Sequence, residues 1–145
     1  EIVATLTGAA VARRSRGEPV TAATDVYLVD TLGELGVFLE LADIVVMGGG
    51  FFPGVGGHNP LEPARHGRPI LTGPHVFNAA DVYAELFAEA AALAAADEAA
   101  LRRHLAGLLA YPQVARRIGA AAEAHAARKA SALDGALALI DPLLP

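Results

Sequence analysis

The chain has 145 residues, a mass of 14.8 kDa and a formal charge of -5 from 11 basic and 16 acidic side chains. That length allows one domain with a core of its own. The acidic balance supplies no basic surface for a phosphate backbone, which argues against nucleic acid as a partner, and the absence of cysteine excludes disulfides, thiolate metal sites and cysteine nucleophiles.

The apolar fraction is 54% but the aromatic fraction only 6%, a composition dominated by alanine that favours helices. Mean hydropathy is +0.41, yet the most apolar stretch is cut by Glu85, Glu89, Asp97 and Glu98. No segment therefore reaches the roughly 18 uninterrupted apolar residues of a spanning helix. No signal peptide is expected at the Glu1 end, which carries no basic region ahead of an apolar run.

In chain order, residues 1–8 read as the end of a helix stopped by Gly8, and AAVARR as a short strand. The polar stretch SRGEPVTAAT, with Gly17 and Pro19, reads as a loop. DVYLVD then predicts a strand over residues 25–29, buried on both faces. Leu32, Leu35, Phe38, Leu39 and Leu41 recur at helical spacing, and DIVVM is again strand-like. GGGFFPGVGG is followed by a short helix over 59–66 stopped by Gly67, and PILTG is another buried strand.

Beyond Pro74 helices are expected over 78–91, 97–110 and 113–130, with a break after the first, a stop at Pro112 and a final segment ending DPLLP. Arg102, Arg103, Arg116, Arg117, Arg128 and Lys129 fall mostly between the apolar positions and read as solvated helix faces. Strands alternating with helices imply a parallel sheet. Right-handed crossovers then give a doubly wound, Rossmann-like α/β domain with extra carboxyl-terminal helices and its ligand at the carboxyl ends of the strands.

Three constellations follow strands at that end. Thr31 and Glu34 read first as a capping box, and Gly33 as a point where something approaches the backbone closely. The second constellation contains Gly48, Gly49, Gly50, Gly54, Gly56, Gly57, His58, Asn59, Pro60 and Glu62. Glycine amides and the start of the following helix suit a phosphate, although the spacing matches neither a P-loop nor GxGxxG. Asn59, Pro60 and Glu62 fit a cap, a first-turn proline and a third-position carboxylate, but Pro63 removes an amide from that turn and would leave Glu62 free to face a ligand. In the third, Gly73, Pro74, His75, Val76, Phe77 and Asn78, the asparagine reads as an N-cap. No metal site and no cofactor are expected: the five histidines have no HExxH arrangement, and those in helices, His125 among them, read as surface residues. No GxSxG elbow supports a serine hydrolase.

The strings VYLVDTLGELG, ADIVVMGGG, GGHNPLEPA, GRPILTGPHVFN and LALIDPLLP together resemble the carboxyl-terminal half of 3-deoxy-D-manno-octulosonic acid (Kdo) transferases, a GT-B glycosyltransferase family. The likeness runs from about ARRSRGE to the last residue, and GGHNPLEP followed by GPHxxN is its most specific part. The resemblance implies transfer of Kdo from CMP-Kdo to the lipid A precursor, with inversion, at the cytoplasmic face of the bacterial inner membrane.

It also implies roles for individual residues. Glu62 would accept the ribose hydroxyls; Gly49, Gly50, Gly56, Gly57, His58 and Asn59 would lie beside the phosphate; Thr31, Gly33 and Glu34 would meet the nucleotide; His75 and Asn78 would line the donor sugar. No catalytic base is placed in this chain. The family's amino-terminal half, with its anchor, acceptor groove and catalytic carboxylate, has no counterpart here, so residues 1–145 are expected to form a single, amino-terminally truncated donor-binding domain, inactive alone. The chain departs from the family at Gly50, where serine is usual, at Val29, where glycine is common, and at Ala79, where an aromatic often stands. A GT-B enzyme using a uridine nucleotide sugar and a non-catalytic nucleotide-binding module remain as alternatives, because one scaffold serves many functions.

Overall fold

The computed structural model describes residues 5–140; the opening residues of the expected first helix and the closing DPLLP lie outside them. The chain divides into two compact units, Glu1–Val37 and Phe38–Pro145.

In the first unit β1 (Val11–Arg13) and β2 (Val26–Leu28) pair in parallel, Val11 opposite Val26. Side chains close the connection between them. Asp25 accepts the Ala10 amide at 2.8 Å, and Asp30 accepts the Ser15 amide and hydroxyl at 2.9 and 2.8 Å together with the Arg13 guanidinium. These donors hold the Asp30 carboxyl well below the usual carboxylate range, Arg13 contributing most. The expectation that β2 is buried on both faces fails: all three of its residues are half-buried, since a two-stranded pair leaves its surfaces partly open.

Helix α1 (Leu35–Leu41) starts four residues later than Thr31. The capping box does not form, because the Glu34 carboxylate is taken by the Arg14 guanidinium and the Thr31 hydroxyl rather than by helix amides. Gly33 has φ +85° and open space where a side chain would stand. Its glycine serves the left-handed turn, and no other part of the described chain comes close to it there.

The second unit carries a parallel sheet in the order β3 (Val45–Met47), β4 (Ile70–Thr72), β5 (Ala92–Ala94). The central strand β4 is fully buried, as PILTG leads one to expect, and its alternating side chains serve opposite layers. Ile70 packs with Ala64, Leu86, Ala92, Ala122 and Ala126, and Leu71 with Leu108 and Ile118. The layers are built from α2 (Leu61–Arg65), α3 (Ala80–Ala88), α4 (Glu98–Ala110) and α5 (Pro112–Ile140), so helices cover both faces of a Rossmann-like α/β sheet.

Strand β5 replaces the expected break after the first carboxyl-terminal helix. Alanine has little intrinsic strand preference, and here the pairing of Ala92 with Ile70 and the burial of Ala91, Ala92 and Ala95 decide the conformation. Pro112 opens α5 as well as following α4, and α5 continues ten residues past the expected end at residue 130. His125 is not a surface residue. It is 2% exposed, with Nδ1 3.2 Å from Glu89 and Nε2 3.5 Å from Glu85. Arg128 and Lys129 pair with the same two carboxylates, so these basic side chains tie α5 to the end of α3 instead of standing free in solvent. No helix among the described residues is long and apolar enough to cross a membrane.

Candidate functional site

Two of the three constellations converge at the carboxyl ends of β3 and β4. After β3 the chain makes a 3-10 turn, Gly48–Phe51, whose Gly50 lies directly over Gly73 and the Thr72 hydroxyl at the end of β4. A Cβ at Gly50 would overlap Thr72 Oγ1 and the Gly73 amide, so the packing of this turn requires glycine. The His75 amide closes the contact by donating to the Gly50 carbonyl at 2.9 Å. The His58 ring lies against Gly49.

The carbonyls of Val55 to His58 are held by hydrogen bonds that reach them from the chain following β4. Asn78 Nδ2 donates to the carbonyls of Val55 at 2.8 Å and Gly57 at 3.3 Å, and the Asn78 amide donates to the Gly56 carbonyl at 3.0 Å. The Tyr83 hydroxyl donates to the His58 carbonyl at 3.0 Å. Four successive carbonyls are thus held by Asn78 and Tyr83.

A trans peptide directs its N–H opposite to its C=O, so the amides of Gly56, Gly57, His58 and Asn59 face away from those anchors. None of the four amides meets a protein acceptor among the described residues. The path requires φ +81° at Gly56 and +79° at Gly57, where any other residue is strained. Unpaired backbone amides on a glycine loop are donors available to an anion.

Asn78 therefore does not cap α3: residue 79 occupies the cap position with no side-chain bond, and Asn78 clamps the glycine loop instead. The helix expected to aim its positive end at the phosphate is short. Helix α2 has five residues and carries little macrodipole, which leaves the loop amides as the donors. Asn59 Oδ1 accepts the Leu61 amide at 3.0 Å and starts that helix. Glu62, in its first turn, is exposed and makes no hydrogen bond or ion pair among the described residues. A free carboxylate next in sequence to the glycine loop is suited to accept hydroxyl groups.

Thr31, Gly33 and Glu34 belong to the amino-terminal unit, where Glu34 is held down to about 2, first by the Arg14 hydrogen bonds and then by the Thr31 hydroxyl. Sequence reasoning missed Tyr83, which is fully buried and whose phenol is pushed up by that burial, with the Thr72 hydroxyl opposing the rise. Its only sequence signal was a tyrosine on the core side of a helix, a place where the hydroxyl needs a partner. Among the described residues no group of three or more His, Asp or Glu side chains is placed to hold a metal ion.

No family model matches the chain. It is 39% identical over 127 residues to a 3-deoxy-D-manno-octulosonic acid transferase of Bordetella pertussis, covering 86% of this chain and 29% of that protein. It is 35% identical over 133 residues to the Haemophilus influenzae enzyme of the same name, covering 91% of this chain and 31% of that protein. The crystal structure of the C-terminal CMP-Kdo binding domain of WaaA from Acinetobacter baumannii superposes with a TM-score of 0.75 at 34% identity, over 79% of this chain and 60% of that one. The chain spans about 30% of the length of the two transferases. Over most of its length the chain is homologous to Kdo transferases, and it corresponds to the part of the fold that crystal structure contains.

Proposed function

We propose that this chain binds the sugar-nucleotide donor of a Kdo transferase, holding CMP-Kdo so that Kdo passes to the hydroxyl of a lipid A precursor at the inner membrane. The observation that carries the reading is the set of four successive carbonyls tied to Asn78 and Tyr83, which leaves the amides of residues 56–59 without a protein acceptor among the described residues and available to an anion.

In the transfer, the bond between the Kdo anomeric carbon and the CMP phosphate oxygen breaks, and the acceptor oxygen forms the new bond to that carbon. Negative charge grows on the departing phosphate, where fixed amides stabilise it without reorganising. The acceptor hydroxyl must also lose its proton to a base. None of the loop residues is assigned that role, which belongs to the part of the relatives beyond this chain's span.

Glu62 receives the ribose hydroxyls in this reading. Its test compares CMP with 2′,3′-dideoxycytidine monophosphate on Glu62→Gln. A charge-assisted acceptor replaced by a neutral amide should weaken CMP roughly tenfold and leave the dideoxy compound unchanged. Unchanged CMP affinity with a lowered melting temperature would reduce Glu62 to a helix-start residue.

A further inference from the structure

Tyr83 lies in α3, a helix that otherwise serves the core, and its ring is fully buried 5.8 Å from that of Phe87. Phenylalanine would pack there equally well. The hydroxyl is therefore carried into the interior at a desolvation cost that packing does not explain.

Its one strong contact, 3.0 Å to the His58 carbonyl, reaches 25 residues back along the chain to the glycine loop. Asn78, which holds the three preceding carbonyls, is an exposed residue, whereas Tyr83 is anchored in the core, so the His58–Asn59 peptide is the one fixed from the interior. Peptide planarity converts that grip on the carbonyl into a direction for the Asn59 N–H. The buried Thr72 hydroxyl lies beneath Gly50 and has no hydrogen-bond partner among the described residues.

We infer that Tyr83 is a positioning residue of the donor site: its phenol holds the His58–Asn59 peptide with the Asn59 amide directed at the nucleotide phosphate, without itself touching the ligand. The inference rests on the donor-site reading above. It goes beyond that reading by assigning the loop's geometry to a core residue that lies outside every glycine-rich or GPHxxN segment.

The test is Tyr83→Phe, read by titration with CMP and with cytidine and, in the ligand-free chain, by the backbone 15N order parameter of Asn59. The variant should lose about five- to tenfold in CMP affinity with cytidine unchanged. The Asn59 order parameter should fall from the rigid range while β4 keeps its own. Unaltered CMP binding, equal losses for CMP and cytidine, an unaltered Asn59 order parameter, or loss of the fold would each overturn the inference. If the parent chain binds no CMP, the donor reading fails instead, and the order parameter still decides whether Tyr83 holds the loop.

Discussion

Replacing Asn78 by alanine separates two roles for this side chain, the lining of the donor sugar that the family resemblance implies and the clamping of the glycine loop that the structure displays. The substitution removes the hydrogen bonds from Nδ2 to the Val55 carbonyl at 2.8 Å and the Gly57 carbonyl at 3.3 Å, and keeps the one from the Asn78 amide to Gly56. The shorter bond is worth about 1 kcal/mol net and the longer one less, so the loop loses roughly 1–2 kcal/mol of order. If CMP must restore that order on binding, its dissociation constant should rise about five- to thirtyfold. Calorimetric titration of Asn78→Ala with CMP, which carries no sugar acid, and with cytidine, which carries no phosphate, measures this directly. The clamp predicts a loss for CMP and none for cytidine. Intact CMP binding with weakened CMP-Kdo binding would refute the reasoning and return Asn78 to the sugar side.

Gly56→Ala forces a side chain into a residue at φ +81°, 2.6 Å from Phe77 Cζ and 2.8 Å from Asn78 Cγ. The left-handed backbone alone costs about 1–2 kcal/mol, so a melting temperature lower by roughly 4 °C and a clear loss of CMP binding are expected; parent-like values in both would show that the loop takes another path. In the amino-terminal unit, Glu34 ionises at about 2 when folded against an ordinary value of 4.5. A depressed carboxylate contributes stability that is present above the unfolded value and lost as pH falls through the folded one. The thermal stability of the parent chain should therefore drop more steeply between about pH 4.5 and 2 than that of Glu34→Gln, and parallel profiles would contradict the assignment.

Much of the fold was legible because its signals are local. Runs such as IVVM and PILT are apolar and partly β-branched, and they lie between glycine, proline and charged residues, so β3 and β4 stand out along the chain. β5 does not. Ala92, Leu93 and Ala94 sit in an alanine-rich stretch whose local preference is helical, and only the open edge of β4 makes them a strand. His125 was misplaced for a similar reason: a histidine among alanines carries no sign that Glu85 and Glu89, 40 and 36 positions back, will enclose it.

The candidate site divides in the same way. The density of glycine points to a backbone anion site, and in the fold the amides of residues 56–59 have no acceptor among the described residues. What holds that loop was hidden, because Asn78 and Tyr83 act on carbonyls 21 to 25 positions upstream. Asn78 does not play its most evident local role, an N-cap, and Tyr83 is a core aromatic whose hydroxyl in addition reaches the His58 carbonyl. Thr31 and Glu34 likewise matched a capping box by spacing, yet Arg14 lay twenty positions away with a stronger claim on the carboxylate.

The central claim is that the amides of residues 56–59 bind the phosphate of a cytidine nucleotide. Isothermal titration of the 145-residue chain with CMP, cytidine, UMP and AMP tests it most directly. Saturable one-to-one binding of CMP, at least tenfold tighter than cytidine and tighter than UMP or AMP, is the predicted result. Equal affinity for CMP and cytidine, or no binding of CMP, would contradict the account.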